Sequence, residues 1–559
     1  MKQQSFLKGS LILGVSALTA KLLGALFKIP LTNLLGGTGM GYFSCAYGLF
    51  LPLYAVFVTG LSTAVARPVA ACAACGDHAG ALRIRSVARR LFLFGGIGGM
   101  LLAALTAKQF ALYTAESPQA IPAVLAIAPA VLFSCLTAVE RGYHEGLCNM
   151  YPTAVSQAAE ALCKLLCGLW LCHLVLESPA LPSFLAGIGR EGAAAAAAVI
   201  GVSVSTAAGW LCTLAFSGKA RKTDVCASQT SAREVIRTLL SVMIPVALGS
   251  LVTNLTSLID LVTVIRCFNN LLSADPAAFY AGTAAPAEIP PADAAAFVYG
   301  SFMGLSVTVF NLVPALTNMF AKGVLPCTAQ AWARGDRQAA AEYARQVLLL
   351  TGLAAVPAGC GIFVLPRGIL LFLFSGRPDE VAAACDGLQW LAPGLIFLCL
   401  AFPVFSLLQA IGKAGLPVRI MIAGVAVKLA GNLLLIPSLY TAGAAIATSL
   451  SYGVILLLAL LFLRRELGAP LHAGKPFFCI GYASVMCAAA AWLAYSRMLM
   501  HLSQRPALLL AVACGGAVYV LVLSLTMHRE LKELTGGKSV HSFHEGGEIS
   551  KKARPHLCR

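Results

Sequence analysis

The chain has 559 residues, 59% of them hydrophobic and only 11% charged, with a mean hydropathy of +0.82. Soluble domains carry about 25% charged residues, so this composition excludes a water-soluble globular class and leaves an all-α polytopic membrane protein. A net charge of +17 without a folded basic domain excludes a nucleic-acid partner and points to membrane topology and anionic lipid headgroups.

Fourteen apolar stretches of span length follow one another at about 6–35, 42–71, 91–115, 118–139, 151–176, 185–217, 238–268, 295–322, 343–374, 384–412, 415–437, 440–463, 477–500 and 506–527. The first begins like a secretory signal, but its apolar run continues past Lys21 to Leu35. That is too long for a removable segment, so it reads as an uncleaved helix. Most of the Lys and Arg residues fall in the alternate connecting segments that share a side with both termini. The positive-inside rule then places both ends in the cytosol.

Several charges lie at membrane depth, where each costs at least ~2.5–3.5 kcal/mol on the insertion scale. Lys21 and Lys28 are two turns apart on one face of the first span, and Pro30 is expected to kink it as a hinge. In the fifth span Glu160 and Lys164 are spaced to pair at i,i+4. Asp260 sits in the seventh span, level with Lys28, and it and Glu160 are the candidates for a gate or coupling role; Lys428 and Asn432 lie one turn apart in the eleventh. Each also has a bland reading: Lys28 could snorkel to headgroups, Lys164 could neutralise Glu160, and Lys428 could bond a neighbouring backbone. Taken together, four lysines against two acids argue for a positively charged space that receives an anion such as phosphate or pyrophosphate.

The remaining motifs are weaker. GGTGMG at 36–41 reads as a tight external turn, and GGIGG at 95–99 as helix-packing glycine. Most of the nineteen cysteines fall inside apolar spans as small hydrophobes, and the Cys72/Cys75 spacing has no second pair to make a metal or redox site. No cofactor is implied. The basic tail 529–559 reads as disordered.

The chain also repeats itself. APAVLFSCL from Ala128 returns as APGLIFLCL from Ala392, and CKLLCGLWL from Cys163 as VKLAGNLLL from Val427, both at an offset of 264. VTGLSTAVARPVA from Val58 resembles VPALTNMFAKGVLP from Val313 at an offset of 255. Spans 1–6 and 7–12 therefore read as parallel copies of a six-helix unit, in lobes 1–233 and 234–470, with two extra helices at 471–528. Transporters with such repeats bind substrate between lobes and work by alternating access.

The stretch LLGALFKIPLTNLLGGTGMGYFSCAYGLFLPLYAVFVTGLSTAVAR resembles the start of stage V sporulation protein B and related polysaccharide-biosynthesis flippases, whose superfamily includes multidrug extruders and lipid II flippases. The resemblance covers essentially the whole chain. It implies a V-shaped pair of bundles with a central cavity in a bacterial plasma membrane. It also implies export of an undecaprenyl-pyrophosphate-linked saccharide such as a peptidoglycan precursor, with basic residues of the first helix (here Lys21 and Lys28) important. A coupling ion and membrane lipids are the further expected partners. Two other readings stay open: a cation-coupled multidrug extruder, which would want an acidic cavity, and a membrane glycosyltransferase or polymerase, which would want paired carboxylates or His on a large loop. The loop 270–294 offers Asp275, Glu288 and Asp293 but no His.

Overall fold

The computed structural model describes residues 6–178, 189–216, 231–413, 415–468 and 474–527; the tail 529–559 lies outside the described residues. Among those described, every regular element is helical. The first half comprises α1 (Phe6–Phe57), α2 (Leu61–Ala74), α3 (His78–Gln109), α4 (Ile121–Ala126), α5 (Ala128–Gly146), α6 (Tyr151–Glu177) and α7 (Gly189–Ala215). The second comprises α8 (Ala232–Ala274), α9 (Pro276–Thr283), α10 (Pro291–Ser301), α11 (Val307–Ala333), α12 (Arg337–Val364), α13 (Pro366–Leu373), α14 (Pro378–Ala410) and α15 (Gly415–Leu467). A final pair, α16 (Gly474–Met498) and α17 (Gln504–Thr526), packs on α12 and α13.

Among the described residues, twelve segments are long and apolar enough to cross a membrane, against fourteen expected. The difference lies in α1 and α15, which double back on themselves. Residues 27 and 43 would stand about 24 Å apart along a straight helix, yet the Phe27 and Phe43 rings are 6.3 Å apart. In α15 the Ser451 hydroxyl donates to the Gly424 carbonyl at 2.7 Å across a sequence separation of 27. Each is a hairpin, with arms 6–35 and 37–57 in α1 and 415–439 and 441–467 in α15.

The first reversal falls at Gly36, with φ 67° and ψ −170°, a conformation open to glycine alone. A β-carbon there would also press on the Arg377 guanidinium at 2.9 Å. Pro30 lies within the helical arm that precedes this reversal. Side chains reinforce the ladder around it, with the Thr32 hydroxyl donating to the Lys28 carbonyl and the Asn33 amide to the Ile29 carbonyl. The second reversal is at Tyr440 (φ 48°, ψ −124°), a costly conformation for a non-glycine residue. Its hydroxyl donates to the Ala278 carbonyl and its ring meets Phe279 edge-on.

The halves meet along the second arm of α1. A β-carbon on Gly300 would fall on the Gly37 carbonyl and the Gly41 amide, and one on Gly41 would fall on the Ala296 carbonyl, so α1 and α10 touch backbone to backbone. Around this seam lies the largest apolar cluster, with Phe27, Tyr42, Phe268, Phe297 and Tyr299 among its buried rings. Two of the four glycines of GGIGG pack between helices as expected, Gly96 against Leu132 and Cys135 and Gly99 against Val131 and Phe57, while Gly98 faces open space. Each of the seventeen described cysteines is a free thiol.

Candidate functional site

Lys21 and Lys28 line one cavity of about 320 Å³ between the two halves. Its other walls come from Thr308, Asn311 and Pro314 of α11 and from Leu398 and Phe402 of α14. The lysines are brought together by their seven-residue spacing on a single arm. Apolar walls around two ammonium groups make a setting in which an anion binds more strongly than it would in water.

Just before the α11 wall the backbone is unusual. Between α10 and α11, residues Phe302–Ser306 form a π turn, which leaves carbonyls without regular helical partners. Two side chains of the opposite half use them. Lys28 Nζ donates to the Met303 carbonyl at 2.9 Å, and the Thr32 hydroxyl lies 3.3 Å from the Gly304 carbonyl. Lys28 thus bridges the halves and borders the cavity at once. Sequence reasoning missed Met303, because a main-chain acceptor exposed by a π turn leaves no mark in side-chain chemistry.

The other candidate residues lie elsewhere. Asp260 does not meet Lys28: it accepts from Lys428 Nζ at 2.6 Å and from Asn432 Nδ2 at 3.2 Å, wholly within the second half. Asn432 Nδ2 also donates to the Thr263 hydroxyl at 2.8 Å. Lys428 is only 3% exposed, so its charge is consumed by a buried pair and does not face the lysine cavity. The Glu160–Lys164 pair expected from i,i+4 spacing is also absent. Glu160 pairs with Arg141 at 2.8 Å, while Lys164 donates to the Tyr47 hydroxyl at 2.9 Å and lies over the Phe27 ring at 5.0 Å. Arg141 outcompetes because α5 extends past the drawn end of the fourth span and delivers a fork of donors to Glu160 and Ser156. Of the five residues expected to bind substrate, the cavity gathers two.

A second set of ties closes the halves around the Gly36 turn. Arg377 Nε and Nη2 donate to the Asn33 and Leu34 carbonyls, each at 3.0 Å, and the Gly37 amide donates to Glu380 Oε1 at 3.2 Å. Tyr42 Oη donates to Asp293 Oδ1 at 2.6 Å. Asp275 caps α9 through the Ala278 amide. Two of the acids on the loop 270–294 are thereby engaged in structural hydrogen bonds. Among the described residues no group of three His, Cys, Asp or Glu could hold a metal ion.

On the far side of α14, an almost wholly apolar cavity of about 490 Å³ lies among α12, α14 and α16. Phe363, Ile396, Val485 and Trp492 are among its lining residues.

Comparison with known proteins agrees with this architecture. Residues 292–512 match the family profile described as lipid II flippase MurJ. Stage V sporulation protein B of Bacillus subtilis (strain 168) is 25% identical over 80% of this chain and 81% of its own. The lipid II flippase MurJ of the same organism is 23% identical over 83% of each. A solved structure of lipid II flippase MurJ in an inward closed conformation superposes with a TM-score of 0.67 at 14% identity, covering 94% of this chain and 99% of that one. Where these names state an activity it is that of a flippase, in line with a transporter rather than an enzyme. The profile described as polysaccharide biosynthesis protein matches residues 6–302, over half of the sequence, and the chain belongs to that family.

Proposed function

We propose that the protein is a flippase that carries an undecaprenyl-pyrophosphate-linked saccharide, a cell-wall polysaccharide unit or peptidoglycan precursor, from the inner to the outer leaflet of a bacterial plasma membrane. The observation that carries this reading is the cavity between the halves with Lys21 and Lys28 on one wall. Lysine ammonium suits diffuse phosphate charge, and Lys28 has donors left for a ligand beyond the one given to Met303. The halves act as lobes 1–233 and 234–470, each hairpin arm crosses the membrane to make fourteen crossings, and both termini are cytosolic. The Gly36 end, tied by Arg377, Glu380 and Asp293, is then the outer gate in its closed state.

A phosphate entering the cavity competes with the Met303 carbonyl for Lys28, so binding loosens a tie between the lobes and favours the alternate state. The buried Asp260–Lys428–Asn432 group is a charge-neutral, hydrogen-bonded cluster around which the second lobe keeps its shape. The apolar cavity beside α16 offers room for part of the polyprenyl chain.

The test is native mass spectrometry of the protein purified from its own membranes. A retained polyprenyl-pyrophosphate saccharide, lost in the Lys21→Ala/Lys28→Ala variant, is the expected result. Only ordinary phospholipid, unchanged by those substitutions, would overturn the reading.

A further inference from the structure

A second cavity, of about 280 Å³, lies inside the first half where α1 gives way to α2. It differs in chemistry from the lysine cavity. Its walls are mostly polar: Ser62, Ser134, Thr137, Gln157 and the carboxylates Glu145 and Glu160, with the Arg141 guanidinium between them and the Tyr54 ring at one side. Polar groups enclosed in a helical bundle are costly unless satisfied or used.

Part of the lining is satisfied within the protein. Arg141 pairs with Glu160 at 2.8 Å, and Glu145 accepts from the Ser62 hydroxyl at 2.7 Å and the Thr153 hydroxyl at 3.1 Å. The Ser16 hydroxyl donates to Gln157 Oε1 at 3.1 Å. This leaves the Gln157 amide nitrogen and the hydroxyls of Ser134 and Tyr54 as groups able to address a guest. The backbone breaks at Gly60 (φ 84°) on the cavity's edge, and Ser250 of α8 reaches this edge by donating to the Thr59 hydroxyl at 3.2 Å.

We infer that this cavity is a saccharide subsite, taking one neutral, hydroxyl-rich sugar ring of the carried lipid. The inference rests on the lipid-linked saccharide reading above. Three features favour a sugar over the other possible guests. The carboxylates outnumber the guanidinium, so a phosphate is repelled. Both carboxylates are already engaged by Arg141 or by hydroxyls, so a bare cation finds no open oxygen cage. A fixed amide, free hydroxyls and an aromatic ring are the complement of a pyranose, whose hydroxyls want paired partners and whose C–H face stacks on a ring. The arm 6–35 serves both cavities, sending Ser16 to Gln157 and Lys21 and Lys28 to the phosphate side. In this proposal one ligand is read by both.

The experiment compares two probes on the full chain in nanodiscs: a polyprenyl pyrophosphate carrying one N-acetylhexosamine, and the same lipid without sugar. Affinity is read by surface plasmon resonance for the wild type, Gln157→Leu, Tyr54→Leu and Lys21→Ala/Lys28→Ala. The expected pattern is that Gln157→Leu and Tyr54→Leu each weaken the sugar-bearing lipid roughly tenfold and leave the bare lipid unchanged, while the lysine variant weakens both. Retained binding of the bare lipid also shows that the two variants are folded. Equal effects on both lipids, or no effect on either, would overturn the subsite alone. If the wild type binds neither lipid, the transport reading fails and the subsite with it. Sodium displacing the sugar-bearing lipid without touching the bare one would assign the cavity to a cation and also overturn the proposal.

Discussion

Lys428 and Asp260 show how much a buried charge depends on one neighbour. The pair is 168 residues apart in sequence and almost fully enclosed, with Asn432 and Thr263 completing the ring of hydrogen bonds. Removing one partner strands the other, which costs about 3–5 kcal/mol, whereas replacing both by apolar residues is close to neutral. Lys428→Ala and Asp260→Ala should therefore each lower the midpoint of chemical unfolding in detergent strongly. The Lys428→Met/Asp260→Leu chain should recover most of the loss. By contrast, Lys28→Ala combined with Asp260→Ala should be additive, because those two side chains share no contact. The charged residues themselves were legible in the sequence as anomalies at depth. Their partners were not: helical spacing offered Glu160 to Lys164 at i,i+4, and only the fold brings Arg141 to Glu160 and Tyr47 to Lys164.

Elements are where sequence and structure part in an instructive way. The stretch GGTGMG was legible as a turn, and the structure places the reversal of α1 at its first glycine. Hidden from sequence was the second use of these glycines, since Gly37 and Gly41 take the close approach of Gly300. Nothing local in VYGSF announces that contact. A side chain at position 300 would collide with the Gly37 carbonyl and hold α10 away from α1. In Gly300→Val, a cysteine introduced at Thr38, which is buried in the closed seam, should react readily with a membrane-impermeant maleimide added outside intact cells. The same cysteine with Gly300 intact should react slowly. The second reversal, at Tyr440, carries no glycine at the break and was legible only as a gap between two apolar runs.

At the scale of the whole molecule, apolar periodicity was enough to indicate an all-helical membrane bundle, and the repeat at an offset of 264 is the basis on which two related halves are proposed. The count of membrane segments depends on recognising hairpins, and hydropathy alone does not separate two arms joined by a single residue. In the proposed alternating-access cycle the Gly36 end opens and closes as a unit. Tyr42 and Asp293 face each other across that end, joined at 2.6 Å. With both changed to cysteine and bridged by a short bis-maleimide, the chain should stop delivering lipid-linked saccharide to the outer leaflet, while either single cysteine treated alike should keep working. Undiminished delivery by the bridged chain would show that this end does not need to part.

The π turn at Phe302–Ser306 has a consequence for how that parting is transmitted. Such a turn holds one residue more than a regular helix would, so everything beyond it is out of phase by about 100°. The Gly300 contact lies before the surplus residue and the cavity residues Thr308 and Asn311 lie after it, on one continuous rod. Relaxing the surplus would swing Thr308 and Asn311 around the rod axis while Gly300 kept its bearing. The helix would then act as a cam: two surfaces on one shaft, their relative phase set by a single residue next to the carbonyl that Lys28 holds.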